Sequence, residues 1–207
     1  MAVNRAQVVD DAFSTFVSRL NATSPQTNLD APVRPGATLT GREAIELFEH
    51  QITSRHLDFE ARAMKARGRG YYTIGAAGHE GNVAVAWASQ PDDMAFLHYR
   101  SGPFFLARAA QVPGPAGAFD VLLGMAASRD EPIAGGRHKV FGSLPLCIPP
   151  QTSTIASHLP KALGYAVCLD RRARLEGREE SRIALCTFGD ASSNHSTAVG
   201  ALNAAAK

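Results

Sequence analysis

Ile183-Ala184-Leu185-Cys186-Thr187-Phe188, running into Gly189-Asp190-Ala191-Ser192-Ser193-Asn194-His195, is the stretch that decides the fold. Uncharged, mostly apolar residues fill every position between Arg182 and the glycine, the pattern of a short strand buried on both faces. An aspartate at the carboxyl end of such a strand stands where open α/β sheets collect ligands. The small residues from Ala198 to Ala206 predict a helix packed close beneath that site. Together they predict an α/β fold with a mainly parallel central sheet flanked by helices, with 183–188 as a central strand and Asp190 at its carboxyl end.

Composition narrows the class. At 207 residues the chain holds one good-sized domain with an N-terminal extension, and a hydrophobic content of 45% supplies a core. The net charge of +2 argues against nucleic acid and membrane surfaces alike, since basic residues are scattered outside 171–182. Cys147, Cys168 and Cys186 form no CxxC pair and read as reduced core thiols. No apolar stretch is long enough to span a membrane, and Asp10 and Asp11 break any signal core, so a cytoplasmic location is expected.

Outward from the deciding stretch, Val9, Phe13, Phe16, Val17 and Leu20 share one helical stripe over residues 5–20. Three prolines make 21–39 an extended linker, so residues 1–39 read as an arm and 40–207 as the domain. Thr40-Gly41-Arg42-Glu43 has capping-box spacing and opens a long helix to about residue 66. A glycine-punctuated loop at 68–75 leads to a helix from His79 to about Ser89, then a strand over 94–98. Helices follow at roughly 102–110 and 119–128. The irregular stretch 129–153 is long enough to be functional. Ser157 is expected to cap a helix to about Leu169, with Ala162, Gly164 and Ala166 allowing close packing. Residues 170–182 read as a charged connector.

Several motifs fail. His79-Glu80 lacks the second histidine of a zinc-protease helix, because position 83 is valine. Gly68-Arg69-Gly70 lacks the third glycine of a dinucleotide fingerprint. There is no P-loop lysine and no serine elbow. What holds is a constellation. Phe96-Leu97-His98-Tyr99-Arg100-Ser101-Gly102 sets a guanidinium just past a strand at the mouth of a helix, suited to bidentate diphosphate binding. Pro149-Pro150-Gln151-Thr152-Ser153-Thr154-Ile155-Ala156-Ser157-His158-Leu159-Pro160 is a hydroxyl-rich turn entering a helix, with N-capping expected from one hydroxyl.

With those blocks in hand, the chain from Thr40 to Lys207 resembles the alpha subunit of the decarboxylating component of thiamine-diphosphate-dependent 2-oxo acid dehydrogenases. The order is Gly78-His79-Glu80, Tyr99-Arg100, the hydroxyl-rich turn, then Gly189-Asp190. The Tyr99-Arg100-Ser101-Gly102 tract looks most like the branched-chain (2-oxoisovalerate) type. The resemblance implies the thiamine-diphosphate-binding fold. It implies that Asp190 holds magnesium, that Ala191 and Ser192 give backbone contacts to the diphosphate, and that Tyr99 and Arg100 grip it from the facing side. Ser153 and Ile155 would meet the cofactor rings, and Tyr72 would line the substrate pocket. Thr152, Thr154, Ser157 and His158 match a segment that encircles potassium in the branched-chain type. His158 stands where that type has glutamine, and neutral imidazole is a poor potassium ligand. Ala191 replaces the second glycine of Gly-Asp-Gly, tolerable only without positive φ. His138, after Gly135-Gly136-Arg137, is the candidate for the family's histidine near that point; other catalytic residues stay unassigned.

The activity implied is oxidative decarboxylation of a 2-oxo acid, with the acyl group passed to lipoamide within a multienzyme complex. Implied partners are a beta subunit or fused beta half in an α2β2-type assembly, and a lipoyl acyltransferase component. Rival readings are a pyruvate or acetoin dehydrogenase alpha subunit, or a non-catalytic fragment. The resemblance further leads one to expect a fold cut short on its C-terminal side, since the family's second metal-ligand asparagine lies beyond Lys207. The 207 residues alone are then expected to bind cofactor weakly and to be inactive, with apolar surface exposed around 183–206.

Overall fold

A computed structural model describes residues 5–20, 28–137 and 140–207. The chain divides into two units, residues 1–44 and 45–207.

In the first unit, helix α1 (Arg5–Ser18) forms as its stripe predicts. Its apolar side chains stay outside any core: Val9, Phe13 and Phe16 are all exposed. Residues 28–40 are a string of turns closed by an antiparallel bridge between Pro32 and Thr40. The capping box forms as read. The Glu43 amide donates to Thr40 Oγ1 at 3.2 Å, and the Thr40 amide donates to Glu43 Oε2 at 2.8 Å. Those reciprocal bonds satisfy two donors that the start of helix α2 (Gly41–Ala66) would otherwise orphan.

The second unit is built on a small parallel sheet. Strand β1 (Met94–Phe96) pairs with β2 (Ala184–Cys186) in the register Met94 to Ala184 and Phe96 to Cys186. Between them in sequence run helices α4 (Gly102–Gln111), α5 (Gly117–Met125) and α6 (Leu159–Glu176). The short α3 (Asn82–Ala88) packs on α4, while α6 packs on both strands and on α8 (Ser196–Ala205). Val83, Leu97, Phe104, Phe105, Leu146 and Ile148 make the main core. Ala156, Leu159, Ala198 and Ala201 make a second beneath β2, which is the close small-residue packing expected of the last helix.

The structure corrects several expectations. The sheet is parallel and α/β, but among the described residues it has two strands, so β2 is not central. It spans three residues instead of six, and Ile183 and Phe188 at its flanks are exposed. An apolar run says that a strand can be buried, and only neighbouring chain decides whether it is. Helix α3 begins at Asn82, because turns occupy 77–81. Helix α6 begins at Leu159 with no side-chain cap. The Ser157 hydroxyl is turned back to the Thr154 carbonyl at 3.0 Å, and Pro160 in the first turn has no N–H to satisfy. That helix also continues to Glu176, taking in half of the presumed connector, where Arg172 pairs with Glu176 and Arg174 with Asp170 at helical spacing. Gly164 has open space where a side chain would be, so it is not a packing contact. Cys168 is exposed rather than a core thiol. No helix among the described residues is long and apolar enough to cross a membrane.

Candidate functional site at the carboxyl ends of the strands

Both strands stop at one polar knot. The Thr187 amide continues the ladder to the Phe96 carbonyl at 3.1 Å. The Thr187 hydroxyl accepts the His98 amide at 2.8 Å and shares a 2.8 Å bond with the fully buried Ser101 hydroxyl. Asn82 Nδ2 donates to Ser101 Oγ at 3.3 Å, which ties α3 into the same knot. The segments that follow the strands, Tyr99-Arg100 and Gly189-Asp190, are therefore fixed relative to each other by hydrogen bonds among buried or half-buried groups.

Beside this knot opens a cleft of about 510 Å³ lined by Gly78, His79, Asn82, Arg100, Gly189 and Asp190, together with Ala77, Gly81 and Phe188. Arg100 reaches it from one wall, its Nη1 donating to the Gly75 carbonyl at 2.7 Å and its guanidinium lying 5.3 Å from the Tyr99 ring centre. The next peptide is held from the other side, where the Ala76 amide donates to the buried Asp58 carboxylate at 2.9 Å. Asp58 is in turn paired with Arg55 at 3.1 Å, and Arg55 also reaches Glu80 at 3.0 Å. A Cβ at position 75 would sit 2.7 Å from Asp58 Oδ2, so any larger residue would displace the carboxylate that holds the Ala76 amide. So the long helix α2 sets the loop that sets Arg100.

Asp190, which lines the same cleft, starts the four-residue helix α7 (Asp190–Ser193). Ala191 lies within that helix and is not among the positive-φ residues, so alanine is tolerated where the family pattern has glycine. The Ser192 amide donates to the Gly189 carbonyl at 3.0 Å and its side chain is buried, so this residue serves the turn itself.

Histidines pack at and behind the cleft in a way that the sequence did not announce. The His79 and His98 rings stack with centres 4.8 Å apart, and His158 lies 6.5 Å from His98. His98 Nδ1 accepts the Arg100 amide at 3.2 Å, which places the proton of the neutral ring on Nε2, the atom nearest Gly189. Burial, reinforced by His79, His158 and Arg100, pushes the His98 imidazole down to about 4. Burial first and Arg100 second also lower His79.

Tyr72 and Tyr99 line a neighbouring apolar cavity of about 80 Å³, with Ile74, Phe105, Val121 and Met125 among its walls. The Tyr72 hydroxyl bonds Ser153 Oγ at 3.1 Å, which brings the hydroxyl-rich turn to this second cavity. Ile155 is exposed and lines neither cavity. In the same turn, His158 is buried and its Nε2 donates to the Thr187 carbonyl at 2.7 Å. His138 lies outside the described residues.

Thus Arg100 and Asp190 share one cleft, Tyr72 and Tyr99 line the cavity beside it with Ser153 bonded to Tyr72, and Ile155 stands apart. Sequence reasoning missed Asp58, His98 and Thr187 as parts of the site. His98 and Thr187 were inside the quoted tracts with no role attached. Asp58 is mid-helix, and only the fold brings it to Gly75. Compared with known families, residues 49–207 match the family described as "Dehydrogenase E1 component". That match covers both strands and every residue of the cleft, and the chain belongs to this family of thiamine-diphosphate-dependent 2-oxo acid dehydrogenase components.

Proposed function

We propose that the chain is the alpha-type portion of a branched-chain 2-oxo acid dehydrogenase, holding the diphosphate end of the cofactor. One observation carries the reading: a guanidinium and a carboxylate, Arg100 and Asp190, face one cleft at the carboxyl ends of two parallel strands. A metal–diphosphate unit is negative at its phosphate oxygens and positive at its metal. Arg100 matches the first and Asp190 the second, so the residues present fit thiamine diphosphate with magnesium. Bound there, the cofactor supplies the nucleophilic carbon for decarboxylation. The chain's own residues bind and orient. Arg100 grips phosphate while Gly75 holds its other donor, Asp190 ligates magnesium, and Tyr99 supports the guanidinium from its ring face. Tyr72, held by Ser153, lines the cavity beside the cleft, whose apolar walls suit an aliphatic side chain of the substrate. Ala191 contributes backbone contacts, and Ser192 positions them from its buried turn.

Potassium does not fit in the same way. His158 Nε2 presents an N–H, already spent on Thr187, where an oxygen ligand is needed.

The domain division read from sequence, an arm over 1–39 and a cofactor domain over 40–207, belongs to this reading. So do a beta-type partner and lipoamide as acyl acceptor. Ile183, Phe188, Val199 and Leu202 are exposed on and around β2 and α8, apolar surface of the kind that a partner or further strand would cover.

The test is an assay of the chain purified with a beta-type subunit, magnesium and thiamine diphosphate. Acyl transfer to lipoamide from 3-methyl-2-oxobutanoate is expected to exceed that from pyruvate by about 10-fold or more in kcat/KM, the scale of a pocket that selects by a methyl group or two. R100M is expected to weaken cofactor binding about 100-fold by calorimetry. Equal use of both substrates would remove the branched-chain assignment. Unchanged cofactor affinity in R100M would remove the site.

A further inference from the structure

The turn from Gln151 to His158 carries carbonyl and hydroxyl oxygens in the pattern of a monovalent-cation site, yet the fold uses them otherwise. The Thr154 carbonyl accepts the Ser157 hydroxyl at 3.0 Å and the Ser157 amide at 3.3 Å. The Thr152 hydroxyl accepts the Thr154 amide at 3.4 Å. At the far end, His158, 3% exposed, donates from Nε2 to the Thr187 carbonyl at 2.7 Å and so joins the turn to the end of β2. At the near end, the Lys161 ammonium donates to Gln151 Oε1 at 3.2 Å. Between them Ala156 is fully buried against Leu159, Ala198 and Ala201, in a left-handed conformation (φ 62°) that packing holds in place. A potassium ion is retained by several oxygens converging on one point. Here the Thr154 carbonyl, the Thr152 hydroxyl and Gln151 Oε1 turn toward protein donors, and the Lys161 ammonium already stands close enough to act electrostatically on His158.

We propose that this turn is closed by the protein's own donors, the His158 imidazole on Thr187 and the Lys161 ammonium on Gln151, and that it binds no potassium ion. The imidazole N–H polarises a carbonyl as a bound cation would, with the difference that it cannot be lost to a potassium-poor medium. The proposal rests on the family reading, since that reading is what raises the ion. Its test needs no cofactor, so the two can fail separately: the cofactor-site reading through R100M and the assay with the beta-type subunit, and this closure through the melting of the ligand-free chain.

Thermal midpoints of the ligand-free chain are measured in potassium, sodium and tetramethylammonium chloride at equal ionic strength. The expected result is one midpoint within about 1 °C in all three salts. A potassium-specific rise of about 5 °C or more, saturating with concentration as mass action requires of a filled site, overturns the proposal. H158L, close in volume and without the N–H, is expected to lower the midpoint by about 5 °C in every salt alike. An unchanged midpoint in H158L overturns the claim that the imidazole closes the turn. In the wild type, the His158 Nε2–H should appear by NMR as an imidazole proton protected from exchange, and an unprotected one counts against the claim. The salt series uses no variant, so it decides the ion even if H158L does not fold.

Discussion

At the residue scale, the site depends on a histidine kept neutral. An imidazole titrates near 6.5 in an unfolded chain, and in the folded protein burial, then His79, His158 and Arg100, hold His98 down to about 4. The unfolded chain therefore takes up a proton that the folded chain refuses. The stability tied to His98 is fully present above pH 6.5 and is lost as pH falls from 6.5 through 4. The difference, 6.5 less 4, corresponds to at most about 3 kcal/mol. Burial moves His79 and His158 the same way, so their contributions add to the slope. Protonation would also place a second N–H opposite the Arg100 amide, where Nδ1 now accepts. The urea midpoint is expected to fall between pH 6.5 and 4. H98N keeps an acceptor near Nδ1 without titrating and should flatten that fall. A slope in H98N equal to the wild type's would show that His98 does not carry it.

At the element scale, helix α6 has one glycine inside it and one at its C-cap, with opposite physics. Gly164 is interior to the helix and has open space about it, so it contributes only backbone freedom to the unfolded chain. G164A is expected to stabilise by about 0.5–1 kcal/mol. Gly177 ends the helix in the left-handed region (φ 61°), its amide and that of Arg178 returning to carbonyls of the last turn. Space is open there too, so G177A isolates the conformational cost and is expected to destabilise by about 1 kcal/mol. Denaturant melts of the two variants should move in opposite directions. The start of α2 was legible in sequence because a capping box is a local device, complete within four residues. The start of α6 was not. Its hydroxyls bond within the preceding turn, and the choice between turn and cap is made by what packs on Ala156.

At the scale of the whole molecule, Arg108 is the largest fully buried side chain. From α4 its Nη1 donates to the Pro91 and Asp93 carbonyls, both at 3.1 Å, and Nη2 donates to Ser89 Oγ at 2.7 Å. Its guanidinium also lies 5.1 Å from the centre of the Phe104 ring. Nearby, Asp93 accepts the Ile183 amide at 2.8 Å through its side chain, so the end of α3 and the entries to β1 and β2 are joined through one cation and one carboxylate. Desolvation lowers the Arg108 pKa, and removing the side chain would strand buried carbonyls. R108A is expected to cost about 3 kcal/mol or more in urea unfolding. A loss under about 1 kcal/mol would mean that water replaces the guanidinium.

The sequence by itself determined the α/β class, the existence and approximate place of most helices, and the family, because these rest on local periodicity, caps and short ordered motifs. It also marked Arg100 and Asp190, since each lies a few residues past a strand whose apolar run is readable alone. Tertiary structure decided what depends on distant chain. Among the described residues it left β2 half-exposed with a single neighbouring strand, where the run of apolar residues implied full burial. It brought Asp58 against Gly75 to set the loop that fixes Arg100, and it stacked His79 on His98. It also turned His158 onto the Thr187 carbonyl. Burial and long-range hydrogen bonding are relations between segments, and a one-dimensional pattern records only one side of each.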